Sequence, residues 1–115
     1  MSAAVADRID PQIARELWCS FVSLIRSYTA AHGLNGSRQA VLEVSEHGLL
    51  VRAGERLLTL RFDGAQGSWQ RESGAAIDFT LDEHGRVLQR SGAEGSGILE
   101  EMDMVAERLA REIMR

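Results

Sequence analysis

Residues 10–33 read DPQIARELWCSFVSLIRSYTAAHG, and this segment predicts one long helix to which the rest of the chain is fitted. Asp10 can cap the first turn, the following proline suits the first helical position, and Gly33 is typical of the residue just past a helix end. At 100° per residue, about half of the helix circumference is apolar. The apolar residues are Ile13, Ala14, Leu17, Trp18, Phe21, Val22, Leu24, Ile25 and Tyr28.

This apolar arc is broader than packing on one sheet requires, because a stripe somewhat over 100° wide is enough for that contact. Trp18, Val22 and Ile25 lie at the far edge of the arc, so we expect them to stay exposed and form an interaction surface. Met104 lies outside the apolar stripe of a second predicted helix and is expected to extend such a surface. The arc therefore predicts contact with a second copy of the chain, a partner protein or an apolar ligand.

Length and composition predict a single domain spanning 1–115, with 44% hydrophobic and 26% charged residues. The net charge of −4 provides no general attraction for a phosphate backbone, so we expect no nucleic-acid partner. No apolar run approaches the length of about 18 residues at which a membrane span becomes plausible. Residues 1–9 are predicted to be a flexible N-terminus without the features of a signal peptide, and the single Cys19 excludes an internal disulfide. These features favour a cytoplasmic protein.

Between residues 39 and 91 the hydrophobic period changes from 3.6 to 2, which predicts strands. Turn residues recur about every 8 to 12 positions, as in an antiparallel meander. Short loops between successive strands make neighbours antiparallel, because parallel pairing needs a long crossover. Six strands are predicted, at 40–45, 49–52, 57–62, 69–72, 77–82 and 86–90.

Residues 91–97 are rich in glycine and serine, and we expect a flexible linker that leads into a C-terminal helix at 97–114. Ile98, Met102, Val105, Leu109 and Ile113 form a narrow apolar stripe along this helix. Its start is acidic and its end is rich in arginine, which complements the helix dipole. The predicted fold is α+β: a long N-terminal helix, a six-stranded antiparallel meander and a C-terminal helix, with the helices on one concave sheet face.

Candidate chemical groups are few. Glu-His-Gly occurs twice, ending at Gly48 and Gly85, and a tight hairpin turn with glycine in the left-handed conformation explains both copies. The serines and Cys19 are not set in a nucleophile elbow, and the glycines before the second helix precede acidic residues that repel phosphate. We therefore assign no catalytic, cofactor-binding or metal-binding residue from the sequence.

Three functions follow as hypotheses. The first is a non-enzymatic homodimer that binds a partner protein through Trp18, Val22, Ile25 and Met104. The second is a module that binds a small apolar ligand in a pocket between helix and curved sheet; its predicted lining is Phe21, Trp69 and Phe79, near Trp18. The third is a small enzyme that uses His32, His47 or His84 with a carboxylate at the rim of the sheet.

Overall fold

A computed structural model of the chain describes residues 10–34, 39–64, 66–90 and 97–115. Over these residues the chain forms two helices and one antiparallel sheet of seven strands, an α+β architecture. The helices are α1 (Pro11–Leu34) and α2 (Met102–Ile113). The strands are β1 (Val41–Ser45), β2 (Gly48–Ala53), β3 (Arg56–Phe62), β4 (Gln66–Arg71), β5 (Ile77–Leu81), β6 (Arg86–Arg90) and β7 (Gly97–Glu101). The predicted flexible N-terminus and all but the last residue of the predicted linker lie outside the described residues.

The strands lie in the sheet in chain order, β1 to β7, and every neighbouring pair is antiparallel. Short connections produce this order, because each strand returns beside the one before it. The turn between β2 and β3 has two residues, and its first, Gly54, has φ 63°. A positive φ at that position is strained for a side chain, so glycine suits it. The six predicted strands are confirmed, with shifts of a few residues at their ends.

The strand count was wrong by one, because residues 97–101 form β7 and do not begin the C-terminal helix. The spacing of Ile98 to Met102 fits a helix, but the backbone of β6 offers a row of unpaired groups to which this segment bonds instead. The Met102 amide donates to the Gly85 carbonyl oxygen at 3.0 Å and marks the end of this pairing. Helix α2 therefore starts at Met102, five residues later than predicted.

Helix α1 begins as predicted, because the Asp10 carboxylate accepts a hydrogen bond from the Gln12 amide at 2.8 Å. The helix extends through Leu34, so Gly33 lies inside its last turn. Gly33 does not have a positive φ, and the prediction that it ends the helix in the left-handed conformation was wrong. Gly48 also lacks a positive φ, so the prediction of a left-handed conformation was wrong there, whereas Gly85 has φ 77° and matches the prediction. The two Glu-His-Gly segments therefore form different turns.

The core lies between the two helices and the inward-facing side of the sheet. Its centre is a group of five rings: Trp18, Phe21, Phe62, Trp69 and Phe79. Gly67 lies opposite Phe79 on the neighbouring strand, and a Cβ atom there would come within 2.5 Å of the Phe79 ring. The absence of a side chain at Gly67 therefore makes room for this ring and for the Arg61 carbonyl oxygen of β3, which such a Cβ atom would also approach.

Polar contacts between α1 and α2 hold the two helices side by side. The Tyr28 hydroxyl donates to the Asp103 carboxylate at 2.6 Å, and the His32 Nε2 atom lies 3.1 Å from the Glu107 carboxylate. The apolar arc of α1 consequently meets the sheet and a second helix of its own chain. The apolar arc is wider than packing on a sheet requires because it packs on both the sheet and α2.

Candidate interaction groove

Trp18, Val22 and Ile25 do not form an exposed surface. All three are buried, with at most 6% of Val22 accessible to solvent. The prediction that they stay exposed was wrong, because Trp18 stacks on Phe62 of β3 and α2 covers part of the same helix. Met104 is 61% exposed on α2 and remains a candidate surface residue.

Phe21, Trp69 and Phe79 do not line a pocket between helix and sheet. Each is buried in the core, and their rings contact one another, with Trp69 and Phe79 centroids 5.1 Å apart and Phe21 and Phe79 centroids 5.8 Å apart. The rings fill the space in which a ligand pocket was predicted, so this lining assignment was wrong.

The apolar surface that the fold leaves uncovered lies instead at β1, the first strand of the sheet. Val44 and Leu49 are cross-strand neighbours and face the same side as the helices. Leu49 is 2% exposed, whereas Val44 is 54% exposed. Helix α1 therefore covers the sheet as far as β2 and leaves the inward side of β1 partly open.

The backbone of β1 is open along the edge of the sheet. In antiparallel strands, hydrogen-bonded residues alternate with residues that point the other way. The Phe62 amide donates to the His47 carbonyl oxygen at 2.9 Å, and this bond fixes the alternation in β2 and β3. Odd-numbered residues of β2 therefore bond to β3, and its even-numbered residues bond to β1. Because even-numbered residues of β2 lie opposite odd-numbered residues of β1, β1 bonds to β2 through its odd-numbered residues. The N–H and C=O groups of Leu42 and Val44 then point away from β2, where no strand in the described part of the chain meets them.

A groove of about 540 Å³ runs between α1 and β1. Trp18, Val22 and Phe62 line it together with Val44, so the partly open side of β1 and the edge of the core form one apolar channel. A second depression of about 230 Å³ continues along α1 from Arg26 to Leu34, beside Leu42. We call these two depressions together the α1–β1 groove.

The wall of the α1–β1 groove that α1 provides carries two arginines, Arg15 and Arg26. Neither guanidinium forms an ion pair within the described part of the chain. The residues are eleven positions apart, which corresponds to about three helical turns and about 16 Å along the same side of α1. Cys19, the one cysteine of the sequence, lies between them on the groove wall and is exposed.

Val44 and Phe62 are groove residues that the sequence analysis missed. The first strand of a meander has a neighbour on one side only, so an apolar inward residue on that strand is a signal for an open groove. Trp18 and Val22, which the sequence predicted to be exposed, are buried but line the groove from the core side.

The three histidines do not come together in one site, and each lies near a different glutamate. His32 pairs with Glu107 between the helices, while His47 and His84 each lie 3.7 Å from the glutamate before them on an exposed turn. Among the described residues, no cluster of three histidine, cysteine, aspartate or glutamate side chains could hold a metal ion.

Asp82 organises the turn that contains His84. Burial works against its ionisation, but hydrogen bonds from the Arg86 amide and guanidinium and from the His84 amide lower the pKa of Asp82 below its ordinary value. The Asp82 carboxylate therefore has a structural role, because its hydrogen bonds stabilise the turn.

Three comparisons, with protein-family models, with curated proteins and with solved structures, found no match for this chain. Neither helix of the described residues has the length and apolar character needed to cross a membrane. Inferences about function therefore rest on the α1–β1 groove and on the edges of the sheet.

Proposed function

We propose that the protein is a non-enzymatic binding protein that holds an extended segment of another polypeptide in the α1–β1 groove. The observation that carries the proposal is Val44, an inward-facing apolar residue of an edge strand that is 54% exposed above a floor of core aromatic residues. An added strand could bond to the outward-pointing backbone of β1 and bury alternate side chains against this floor.

The groove favours a segment with apolar residues at alternating positions. In an antiparallel pair, the residues opposite Leu42 and Val44 direct their side chains to the same side of the sheet as those two residues. That side contains Trp18 and Val22 of α1. Intervening residues of the segment would face away from α1 and need not be apolar.

Arg15 and Arg26 on the α1 wall favour carboxylates in the part of the segment that faces α1, whereas Glu46 and Asp63, which also line the groove, disfavour carboxylates beside the sheet. The two arginines are about 16 Å apart along α1, and a strand advances about 3.3 Å per residue. Residues on one side of a strand are separated by even numbers, so carboxylates four or six positions apart fit the two guanidinium groups best. A segment of alternating apolar residues with such acidic residues is the partner that this groove fits.

A small apolar ligand is a second candidate, because the larger part of the groove has a volume of about 540 Å³. Volumes of roughly 300 to 1,000 Å³ are usual for small-molecule sites. Such a ligand would use the floor of Trp18, Val22 and Phe62 but not the backbone of β1. The two candidates therefore differ in their dependence on the open strand edge.

Selection from a random peptide display library tests the proposal. We expect selected peptides to show alternating apolar residues with acidic residues, and we expect Val44→Glu to weaken their binding at least about tenfold, because a carboxylate then occupies the apolar floor. Met104→Glu is the matched control, since Met104 has a similar exposure to Val44 but does not line the groove.

Alkylation of Cys19 by iodoacetamide locates the bound peptide independently. A peptide in the groove should slow the reaction, because Cys19 lies on the groove wall. The proposal fails if selected peptides bind Val44→Glu and wild type equally, or if saturating peptide leaves the alkylation rate unchanged. Binding of the apolar dye 1-anilinonaphthalene-8-sulfonate with the same dependence on Val44, and no selected peptide, would favour the small-ligand candidate.

A further inference from the structure

The opposite edge of the sheet, β7, also exposes apolar side chains. Ile98 is 65% exposed on the side of the helices, and Leu99 is 48% exposed on the other side. In the residues that the structure describes, β7 pairs with β6 alone. An open strand with apolar residues on both sides is a template for pairing with a further strand.

The backbone groups available on β7 belong to its odd-numbered residues. The bond from the Met102 amide to the Gly85 carbonyl fixes the alternation between β6 and β7, so even-numbered residues of β7 bond to β6. The N–H and C=O groups of Gly97, Leu99 and Glu101 consequently point to the open edge. Leu99 is the central residue of this five-residue strand.

We propose that two copies of the chain form a dimer by antiparallel pairing of β7 with β7, with Leu99 on the two-fold axis. This register pairs the whole strand and places Gly97 opposite the partner's Glu101. Leu99 and the partner's Leu99 can then exchange two backbone hydrogen bonds, because both point to the joint.

The side chains in this register match on the side of the sheet away from the helices. Leu88 and Leu99 are cross-strand neighbours within one chain. In the dimer the row continues through the partner's Leu99 to the partner's Leu88. Four leucines in one row would cover the apolar surface that each chain exposes by itself.

Charges on the same side of the sheet also match. Arg90 and Glu101 are exposed and form no ion pair with any residue that the structure describes. Arg90 lies beside Gly97 in the sheet, and Gly97 lies opposite the partner's Glu101 in the dimer. The Cα atoms of Arg90 and the partner's Glu101 are then two strand spacings apart, about 10 Å. Gly97 has no side chain of its own, but the Leu88 side chain lies over it, since a Cβ atom at Gly97 would come within 2.8 Å of the Leu88 Cδ1 atom. The long Arg90 side chain can extend past Leu88 to the partner's Glu101, and the two-fold axis repeats the pair.

Strand β1 is a poorer choice for self-pairing in the corresponding register. Its central residue is Glu43, so full overlap of two β1 strands would place Glu43 opposite the partner's Glu43. Like charges directly opposite one another destabilise a strand pair. The charge pattern thus assigns β7 to a second copy and leaves β1 available to a different chain.

Sedimentation equilibrium of the full chain tests the dimer. We expect twice the mass of the chain at micromolar concentration, and Leu99→Arg should raise the dissociation constant at least about tenfold by placing like charges on the axis. Arg90→Glu and Glu101→Arg should each weaken the dimer, while the double variant Arg90→Glu/Glu101→Arg should restore it by exchanging the charges. Thermal unfolding of each variant shows that the fold is retained.

A monomeric wild type at these concentrations would overturn the proposal. So would a dimer that Leu99→Arg does not weaken, or a double charge variant no tighter than the two single variants. Val44→Glu is the matched control and should leave the dimer unchanged, since Val44 lies at the opposite edge. The dimer does not depend on the proposed peptide binding, because Leu99→Arg should leave peptide affinity and Cys19 alkylation as in the wild type.

Discussion

Trp18 of α1 stacks on Phe62 of β3, with ring centroids 5.3 Å apart and ring planes inclined by 14°. This pair joins the long helix to the end of a strand in the first half of the sheet. The same two rings form part of the floor of the α1–β1 groove. Core stability and the shape of the groove therefore depend on one contact.

Trp18→Ala should reduce the free energy of unfolding by about 3–5 kcal/mol, because it removes a large buried ring and leaves a cavity. Urea denaturation measures this loss. Met104→Ala is the control and should change stability by less than about 0.5 kcal/mol, since Met104 is mostly exposed. A cost for Trp18→Ala similar to that of the control would contradict the assigned burial.

Gly67→Ala should destabilise the protein by about 1–3 kcal/mol, because the new methyl group would clash with the Arg61 carbonyl oxygen and would lie within 2.5 Å of the Phe79 ring. Phe79→Leu should relieve part of this clash. We expect the double variant to be more stable than the sum of the two single effects predicts, with a coupling of about 0.5–3 kcal/mol in urea denaturation. Additive effects would show that the cost of Gly67→Ala comes from the Arg61 carbonyl oxygen and not from the Phe79 ring.

Tyr28 should titrate above about pH 10, the ordinary value for tyrosine. Its hydrogen bond to Asp103 is the largest cause that raises the pKa, followed by desolvation and the charges of Asp103 and Glu107. Since Tyr28 is the one tyrosine of the sequence, phenolate absorbance reports it directly. Asp103→Asn should bring the pKa back towards 10, and Glu107→Gln should lower it less.

The sign of the stability effect follows from that direction. A pKa that is raised in the folded state contributes stability below about pH 10, and this contribution is lost as the pH rises through the folded pKa. The free energy of unfolding of the wild type should therefore approach that of Asp103→Asn at high pH. A Tyr28 pKa at or below 10 would contradict the hydrogen bond.

Glu100 should stabilise the protein at neutral pH and not in acid. Hydrogen bonds from the Arg108 guanidinium and then from Gln89 lower the pKa of Glu100 below its ordinary value. The contribution is present above about pH 4.3 and is lost as the pH falls through the lower folded pKa. Glu100→Gln should cost about 1–2 kcal/mol at pH 7.

Urea denaturation at several pH values checks this prediction. The difference between wild type and Glu100→Gln should shrink as the pH falls below about 4. Glu55→Gln, at an exposed carboxylate in the turn between β2 and β3, provides a comparison without an ion-pair partner among the described residues. A cost for Glu100→Gln that persists unchanged in acid would contradict the assigned interaction.

Local patterns in the sequence predicted those parts of the fold that local physics controls. Asp10 predicted the start of α1 because its carboxylate accepts a hydrogen bond from the amide of Gln12, only two residues away. Alternation of apolar residues predicted six strands because period two follows directly from strand geometry. Their antiparallel order followed from the short turns between them.

The sequence did not predict features that depend on distant parts of the chain. Residues 97–101 carry a helical spacing, and the choice of a strand comes from the free backbone of β6. The burial of Trp18, Val22 and Ile25 depends on how α1, α2 and β3 share one core, which no local pattern reports. The groove was missed for the same reason, because it exists only where α1 stops short of covering β1.

The contact between Tyr28 and Asp103 joins residues that are 75 positions apart, and it has a consequence during synthesis. Helix α1 leaves the ribosome long before α2, so one flank of its apolar arc has no helix to cover it while the sheet emerges hairpin by hairpin. A nascent chain halted before α2 should therefore bind ribosome-associated chaperones or aggregate. Synthesis of α2 should then cover the exposed flank of α1.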